Sequence, residues 1–235
     1  MKIILLTVIL IILGIVLYMN KPKKEFMLKK CILLPCCVRA GRGDDETRIK
    51  WYTETIKKYL ETTNLQIRVV ESSGYEFPIE HERLKQFVFS SELDKSFGFP
   101  SRGESESIIK VNESGILDDL DIIVKITGKY YLPDIEEEIN NIPENAGIMY
   151  QNIKEDPTKF IASEIFGFKR KYINDIFKSI LECEDQSCYL ALEHKIYNIH
   201  ENLGCDFYTF KTLKIECTHE KCPFRSLTFV ELKEL

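Results

Sequence analysis

The first pattern along the chain is a block without charge. Residues 3–19 read IILLTVILIILGIVLYM, 17 positions with a single Gly, about the length of the shortest helix that spans a hydrocarbon layer of roughly 30 Å. The block has no polar face, which argues against a buried core helix. It also lacks the short apolar core and small-residue exit of a cleaved signal peptide. The segment therefore reads as an uncleaved anchor over 1–20, followed by a basic spacer over 21–30 and a folded domain over 31–235.

Within the domain the period changes. Cys31–Val38 (CILLPCCV) is a continuous apolar run suited to a buried strand, with Pro35 marking an early end or an irregular edge. Arg39–Asp45 is a loop containing Gly and charge, in which Asp44 or Asp45 can cap a helix running to about Glu61. Ile49, Tyr52, Ile56, Tyr59 and Leu60 share one face of that helix. A polar turn at Thr62–Asn64 leads into a second strand, Gln66–Glu71 (QIRVVE). Strand, helix and strand in this order predict a parallel βαβ unit with a right-handed crossover.

Further on, Phe87–Ser90 reads as a short third strand, 91–103 as a polar loop, and Gly103–Val111 as a helix. Asp121–Thr127 (DIIVKIT) and Gly147–Asn152 read as strands, 170–182 and 187–202 as helices, and 211–217 and 226–232 as closing strands. The class is α/β, a mostly parallel sheet flanked by helices.

Composition narrows the function. Hydrophobic residues make up 44% and charged residues 29%, so a packed core is expected. A net charge of −5 with no basic stripe excludes a nucleic-acid binder. Orientation of the anchor is read from conflicting signals. Lys21, Lys23, Lys24, Lys29 and Lys30 favour a cytosolic domain. Eight Cys and the sequon Asn112-Glu113-Ser114 favour the lumen of the endoplasmic reticulum or Golgi, which is the preferred reading.

Three polar segments fall at expected strand ends or at a helix start: Glu71–Tyr75, Ser101–Ser107 and Lys125–Tyr131. A parallel sheet would gather them on one rim, where α/β folds bind ligands. Arg102 and the amides of Gly103–Ser105, at the expected helix start, suit a phosphate, and Lys125 and Lys129 add positive charge. The plainer reading is a solvated rim beside an ordinary capped helix.

The runs ILLPCCVRAGRGDDETRIKWYTETIKKYL and IRVVESSGY resemble the opening of a group of small GT-A-like glycosyltransferases. In that group a strand, a loop, an acidic-Arg helix start and a strand with a Glu-Asn/Ser-Ser-Gly-Tyr end follow one another. SRGESESI (101–108) and DIIVKITGKYYL (121–132) are similar to later pieces of the same group, and SEIFGF (163–168) and LEHKIY (192–197) match more loosely. The resemblance implies a GT-A-like (Rossmann-type) fold and sugar transfer from a nucleotide-sugar donor to a glycan or glycoprotein acceptor. It makes Glu71 a contact to the donor's base or ribose. Arg102, Glu104 and Glu106 fall near the diphosphate or donor sugar, and Lys125, Thr127, Gly128 and Lys129 at the transfer site.

One departure is chemical. Most metal-dependent members carry an Asp-x-Asp at the end of the fourth strand, which would hold Mn or Mg on the diphosphate. Here that place reads Lys125-Ile126-Thr127-Gly128-Lys129, while Asp119-Leu120-Asp121 precedes the strand. Either cations replace the metal in neutralising the leaving group, or the domain is an inactive carbohydrate-binding or scaffold version of the fold. Another nucleotide-binding transferase is a third class, disfavoured because it would need those carboxylates. Glu164, Glu193 and His194 are the candidates for the base that activates an acceptor hydroxyl. Cys183/Cys188 and Cys217/Cys222 form two C-x4-C pairs, read as disulfides with Cys205 as a further partner, or else as a zinc site. Cys31, Cys36 and Cys37 read as small buried hydrophobes.

Overall fold

The computed structural model describes residues 28–39, 44–93, 100–151, 164–182, 202–211, 213 and 215–217. The elements in chain order are β1 (Lys30–Cys36), α1 (Asp45–Thr62), β2 (Gln66–Glu71), β3 (Leu84–Val88) and α2 (Pro100–Glu113), then β4 (Ile122–Ile126) and β5 (Tyr130–Tyr131). They continue with α3 (Ile135–Asn140), β6 (Ala146–Gln151), β7 (Ile165–Lys169), a 3-10 turn at Arg170–Tyr172, α4 (Ile173–Leu181), β8 (Asp206–Phe210) and β9 (Glu216–Cys217). The main sheet has the order β3-β2-β1-β4-β7-β6-β8, and β5 pairs with β9 in a separate two-stranded sheet. The four strands β3, β2, β1 and β4 are mutually parallel, as is the pair β6 and β8. Strand β7 runs antiparallel to both neighbours, so the sheet is mixed.

Strand β1 is a run rather than an alternation because both of its faces are covered. Ile32 and Leu34 pack beneath α1 with Tyr52, Ile56, Tyr59, Ile67, Val69, Ile122 and Val124. Cys31 and Leu33 pack on the other face, with Ile108 and Val111 of α2 and Ile176, Phe177 and Ile180 of α4. Phe166, Phe168 and Phe177 close that second core, with ring centroids 5.2–5.9 Å apart. Each such ring contributes about 1.5–3 kcal/mol by leaving water.

Helix α1 begins as expected. Asp44 caps it, accepting from the amides of Glu46 and Thr47 at 3.1 and 3.0 Å, because those amides have no partner inside the helix. At the far end the guanidinium of Arg83 donates to the carbonyl of Leu60 in the last turn and to those of Thr63 and Leu65 just beyond it.

Other expectations shift. The third strand lies at 84–88, earlier than the Phe87–Ser90 read from hydropathy, because Leu84–Val88 pairs in register with Ile67–Glu71. Helix α2 starts at Pro100, three residues before the expected Gly103. Strands β7 and β8 were not anticipated; Gly167 interrupts the apolar run of the first, and 206–210 alternates weakly. Among the described residues no helix is long and apolar enough to cross a membrane, and the expected anchor at 1–20 lies outside them. The expected helix at 187–202 falls almost entirely outside them, and the strand at 226–232 wholly so.

Removing the Arg83 clamp leaves three carbonyls without their charged donor. Arg83→Ala is expected to lower the unfolding free energy by about 1.5–3 kcal/mol, the range for hydrogen bonds to charged groups, read as a lower urea midpoint at unchanged slope.

Candidate functional site

The chain leaves β1 toward β2 on one side, and later returns through α2 to β4 on β1's other side. The carboxyl ends of β1 and β4 therefore flank a topological switch point, the place where open α/β sheets leave a crevice. The loop after β1 and the turn after β4 lie at this switch point. At Gly128 the turn presses on β1: a Cβ there would lie 2.7 Å from the Pro35 carbonyl and 2.7 Å from the Cys36 Sγ. The first obstacle is backbone, so only glycine fits this close approach.

Cations stand around this crevice. Arg48, in the first turn of α1, donates from Nη1 to the Cys37 carbonyl at 3.2 Å. Arg39 is exposed and its guanidinium reaches the Ser73 carbonyl at 3.4 Å. Lys129 follows Gly128, with its Nζ 5.3 Å from the Tyr130 ring centroid. Burial lowers the Lys129 pKa, the Arg48 guanidinium lowers it further, and the Glu164 carboxylate opposes both. Burial, aided by the Glu164 charge, pushes the Tyr130 hydroxyl up to about 12. Arg48 and Glu164 thus both act on Lys129, and Glu164 also acts on Tyr130. The capped start of α1 is not an open anion site, since Asp44 already occupies its amides.

Glu71 departs from expectation. The resemblance makes it a contact to the donor, yet it is 0% exposed. It accepts from the amides of Val38, Ser73 and Tyr75, each at 2.8 Å, and from the Ser73 hydroxyl. A buried carboxylate requires donors of this number to stay favourable. Its work is to tie the loop after β1 to the loop after β2, and the Arg39 amide adds to the tie by donating to Ser73 Oγ at 2.9 Å. Gly74 completes the turn at φ +81°, a conformation costly for residues with a Cβ.

Lys125 also turns inward. It is 0% exposed, with Nζ 2.6 Å from Glu104 Oε1 and 3.4 Å from Thr127 Oγ1. Alternation along β4 puts Lys125 on the face of Ile123, under α2, while alternation along β2 puts Glu71 on the face of Ile67 and Val69, under α1. The two residues leave the sheet on opposite sides, so the single rim expected for Glu71, Lys125 and Arg102 is not formed. Arg102 donates to the Leu181 carbonyl at the end of α4, 3.4 Å away. Glu106 accepts from the Ser91 hydroxyl and so holds the stretch after β3. Because α2 starts at Pro100, the amides of Glu104 and Ser105 lie inside the helix and are spent on its own carbonyls.

Of the candidate bases, Glu164 lies just before β7. Its carbonyl accepts from the Thr127 amide at 2.9 Å, which binds it to the turn carrying Gly128 and Lys129. Glu193 and His194 lie outside the described residues, as do Cys183, Cys188 and Cys222. Cys205, an expected disulfide partner, is a free thiol, as are Cys31, Cys36 and Cys37. Asn112 sits in the last turn of α2 with its carboxamide oxygen buried, unlike the exposed loop a glycan needs. Among the described residues no three His, Cys, Asp or Glu are grouped to hold a metal. Asp119 and Asp121 serve the opposite end of the sheet, near Arg68 at 3.6 Å and the Lys29 amide at 2.9 Å. Arg39 and Arg48 were not singled out for this crevice from the sequence. Their signal was present, a cation just after the first strand and another one turn into the helix that follows.

No protein-family model matches the chain, and no curated protein matches it. A solved structure similar to it is that of a protein from Desulfovibrio desulfuricans G20, provisionally assigned as a nucleotide-diphospho-sugar transferase. The TM-score is 0.47 and the identity 10%, covering 78% of this chain and 80% of that one.

Two measurements bear on these assignments. Glu71→Ala strands two buried amides, of Val38 and Ser73, and the part-buried one of Tyr75 at about 1–3 kcal/mol each before relaxation, so a loss of roughly 3 kcal/mol in unfolding free energy is expected; a loss below about 1 kcal/mol would contradict the clasp. For Lys129 the folded pKa lies below the unfolded one. The unfolded chain then keeps a proton the folded chain has lost, and stability rises with pH across that interval. Lys129→Met should remove this rise, so the parent-minus-variant difference grows as the pH climbs toward the ordinary lysine value of 10.5; a flat difference would reject the assignment.

Proposed function

We propose that the chain is a glycosyltransferase that moves a sugar from a nucleotide-sugar donor to a hydroxyl of a glycan or glycoprotein acceptor. The observation that carries this reading is the gathering of Arg39, Arg48 and Lys129, with Glu164 beside them, at the switch point where β1 and β4 end. A chain of net charge −5 that gathers cations at a ligand crevice favours an anionic ligand. The resemblance of residues 31–132 to GT-A-like enzymes supplies the class of that anion.

In this reading the donor's diphosphate lies against Arg48 and Lys129. Glu71 serves the donor indirectly, by holding the loop that carries Arg39, and the Lys125–Glu104 pair supports the turn at Thr127. Glu164 accepts the proton of the acceptor hydroxyl. The acceptor oxygen bonds to the anomeric carbon, the bond from that carbon to the diphosphate oxygen breaks, and its electron pair leaves with the diphosphate.

The test is a panel of nucleotide sugars followed for release of the nucleoside diphosphate. Glu164→Gln should slow release about 10²–10⁴-fold, the usual contribution of a general base, with donor affinity within about twofold of the parent. Donor binding without any release would mark a binding domain instead, and absence of binding across the panel would refute the reading.

A further inference from the structure

We infer that the leaving diphosphate is neutralised here by Arg48 and Lys129 in place of a divalent metal ion. The inference rests on the glycosyltransferase reading and concerns how that site handles charge.

The resemblance makes a divalent ion the first expectation at the end of β4, and the residues present do not fit one. An ion of this kind takes hard oxygen ligands, most often carboxylates. The stretch after Val124 offers an ammonium, a hydroxyl, a glycine and another ammonium, at Lys125, Thr127, Gly128 and Lys129. Glu104, the carboxylate closest to Lys125, is already paired to it at 2.6 Å. Glu164 is a single carboxylate whose field acts on Lys129, and a dication placed between them would be repelled by Lys129 and by Arg48. The Asp119 and Asp121 carboxylates lie at the other end of β4.

What the rim offers instead is positive charge brought by two rigid elements. Arg48 is fixed by the first turn of α1 and by its bond to the Cys37 carbonyl. Lys129 is fixed by the turn that Gly128 presses against Pro35 and Cys36, and that Thr127 ties to Glu164. The groups facing Lys129 are Arg48 from α1, Glu164 from the turn before β7 and Tyr130 from β5. Arg48 at the Cys37 carbonyl and Lys129 in the turn pressed on Pro35 and Cys36 stand at the same end of β1, where a bound diphosphate would meet both. As the anomeric C–O bond breaks, its electron pair passes to the diphosphate oxygen and adds one negative charge. Pre-positioned cations stabilise that added charge without reorganising.

The test is calorimetric titration of the full chain with UDP, GDP, ADP and CDP, in EDTA and again with Mn²⁺ or Mg²⁺. At least one nucleotide is expected to bind, with affinity changed less than about twofold by the chelator. Arg48→Gln and Lys129→Gln should each weaken it about 10–100-fold, the scale of a charge-assisted bond. Lys129→Arg should retain binding within about threefold, and Lys85→Ala, an exposed residue of β3, should leave it unchanged. Binding that appears only with the divalent ion overturns the inference while leaving the glycosyltransferase reading in place. Failure of all four nucleotides in both buffers overturns that reading and this one together. A folded Gln variant that binds as tightly as the parent overturns the inference alone. Should a Gln variant not fold, the chelator arm on the unaltered chain decides.

Discussion

A carboxylate sealed from water has to replace every lost water with a donor, and Glu71 does so with three amides and a hydroxyl. Those donors belong to two different loops, one after β1 and one after β2. The same bonds that make the buried charge tolerable therefore bring the two loops together. The position of Arg39 and the turn at Gly74 both follow from where that carboxylate sits.

A second buried charge works on the other face. The Lys125–Glu104 pair joins β4 to α2 and reaches Thr127, which in turn holds Glu164 through the backbone. Losing one partner of such a pair costs about 3–5 kcal/mol, because the other charge stays behind without compensation. The crevice is thus braced from both sides of the sheet by ionised groups that need not meet a ligand. The residues left to face it, Arg48, Lys129 and Glu164, stand on elements that these braces hold.

That arrangement leaves Arg48 and Lys129, with Glu164, where β1 and β4 end. Asp119, Asp121, Asp118 and Glu138 satisfy partners away from the switch point. Burial first, and the Arg48 guanidinium after it, lower the Lys129 pKa. In the proposed reading a bound diphosphate offsets the charge of these two cations.

Much of the first half was legible from residue order. A charge-free run, an Asp cap, a helical stripe and a β-branched segment determined β1, α1 and β2 nearly to the residue, because each is specified by local periodicity and capping. The glycine after β4 and the misplaced Asp119-Leu120-Asp121 were readable as well. Less was visible where pairing decided the outcome. Register with β2 drew β3 back to Leu84, and two partner strands made Ile165–Lys169 a strand in spite of its glycine. The sequence by itself placed Glu71, Lys125 and Lys129 at strand ends, but not Arg39 and Arg48 beside them. Only the tertiary structure decided which face each one takes, sending Glu71 and Lys125 inward on opposite sides and leaving Arg48 and Lys129 at the rim. The reason is that a period of two alternates the side chains, while the helices covering each face decide which of those sides is buried.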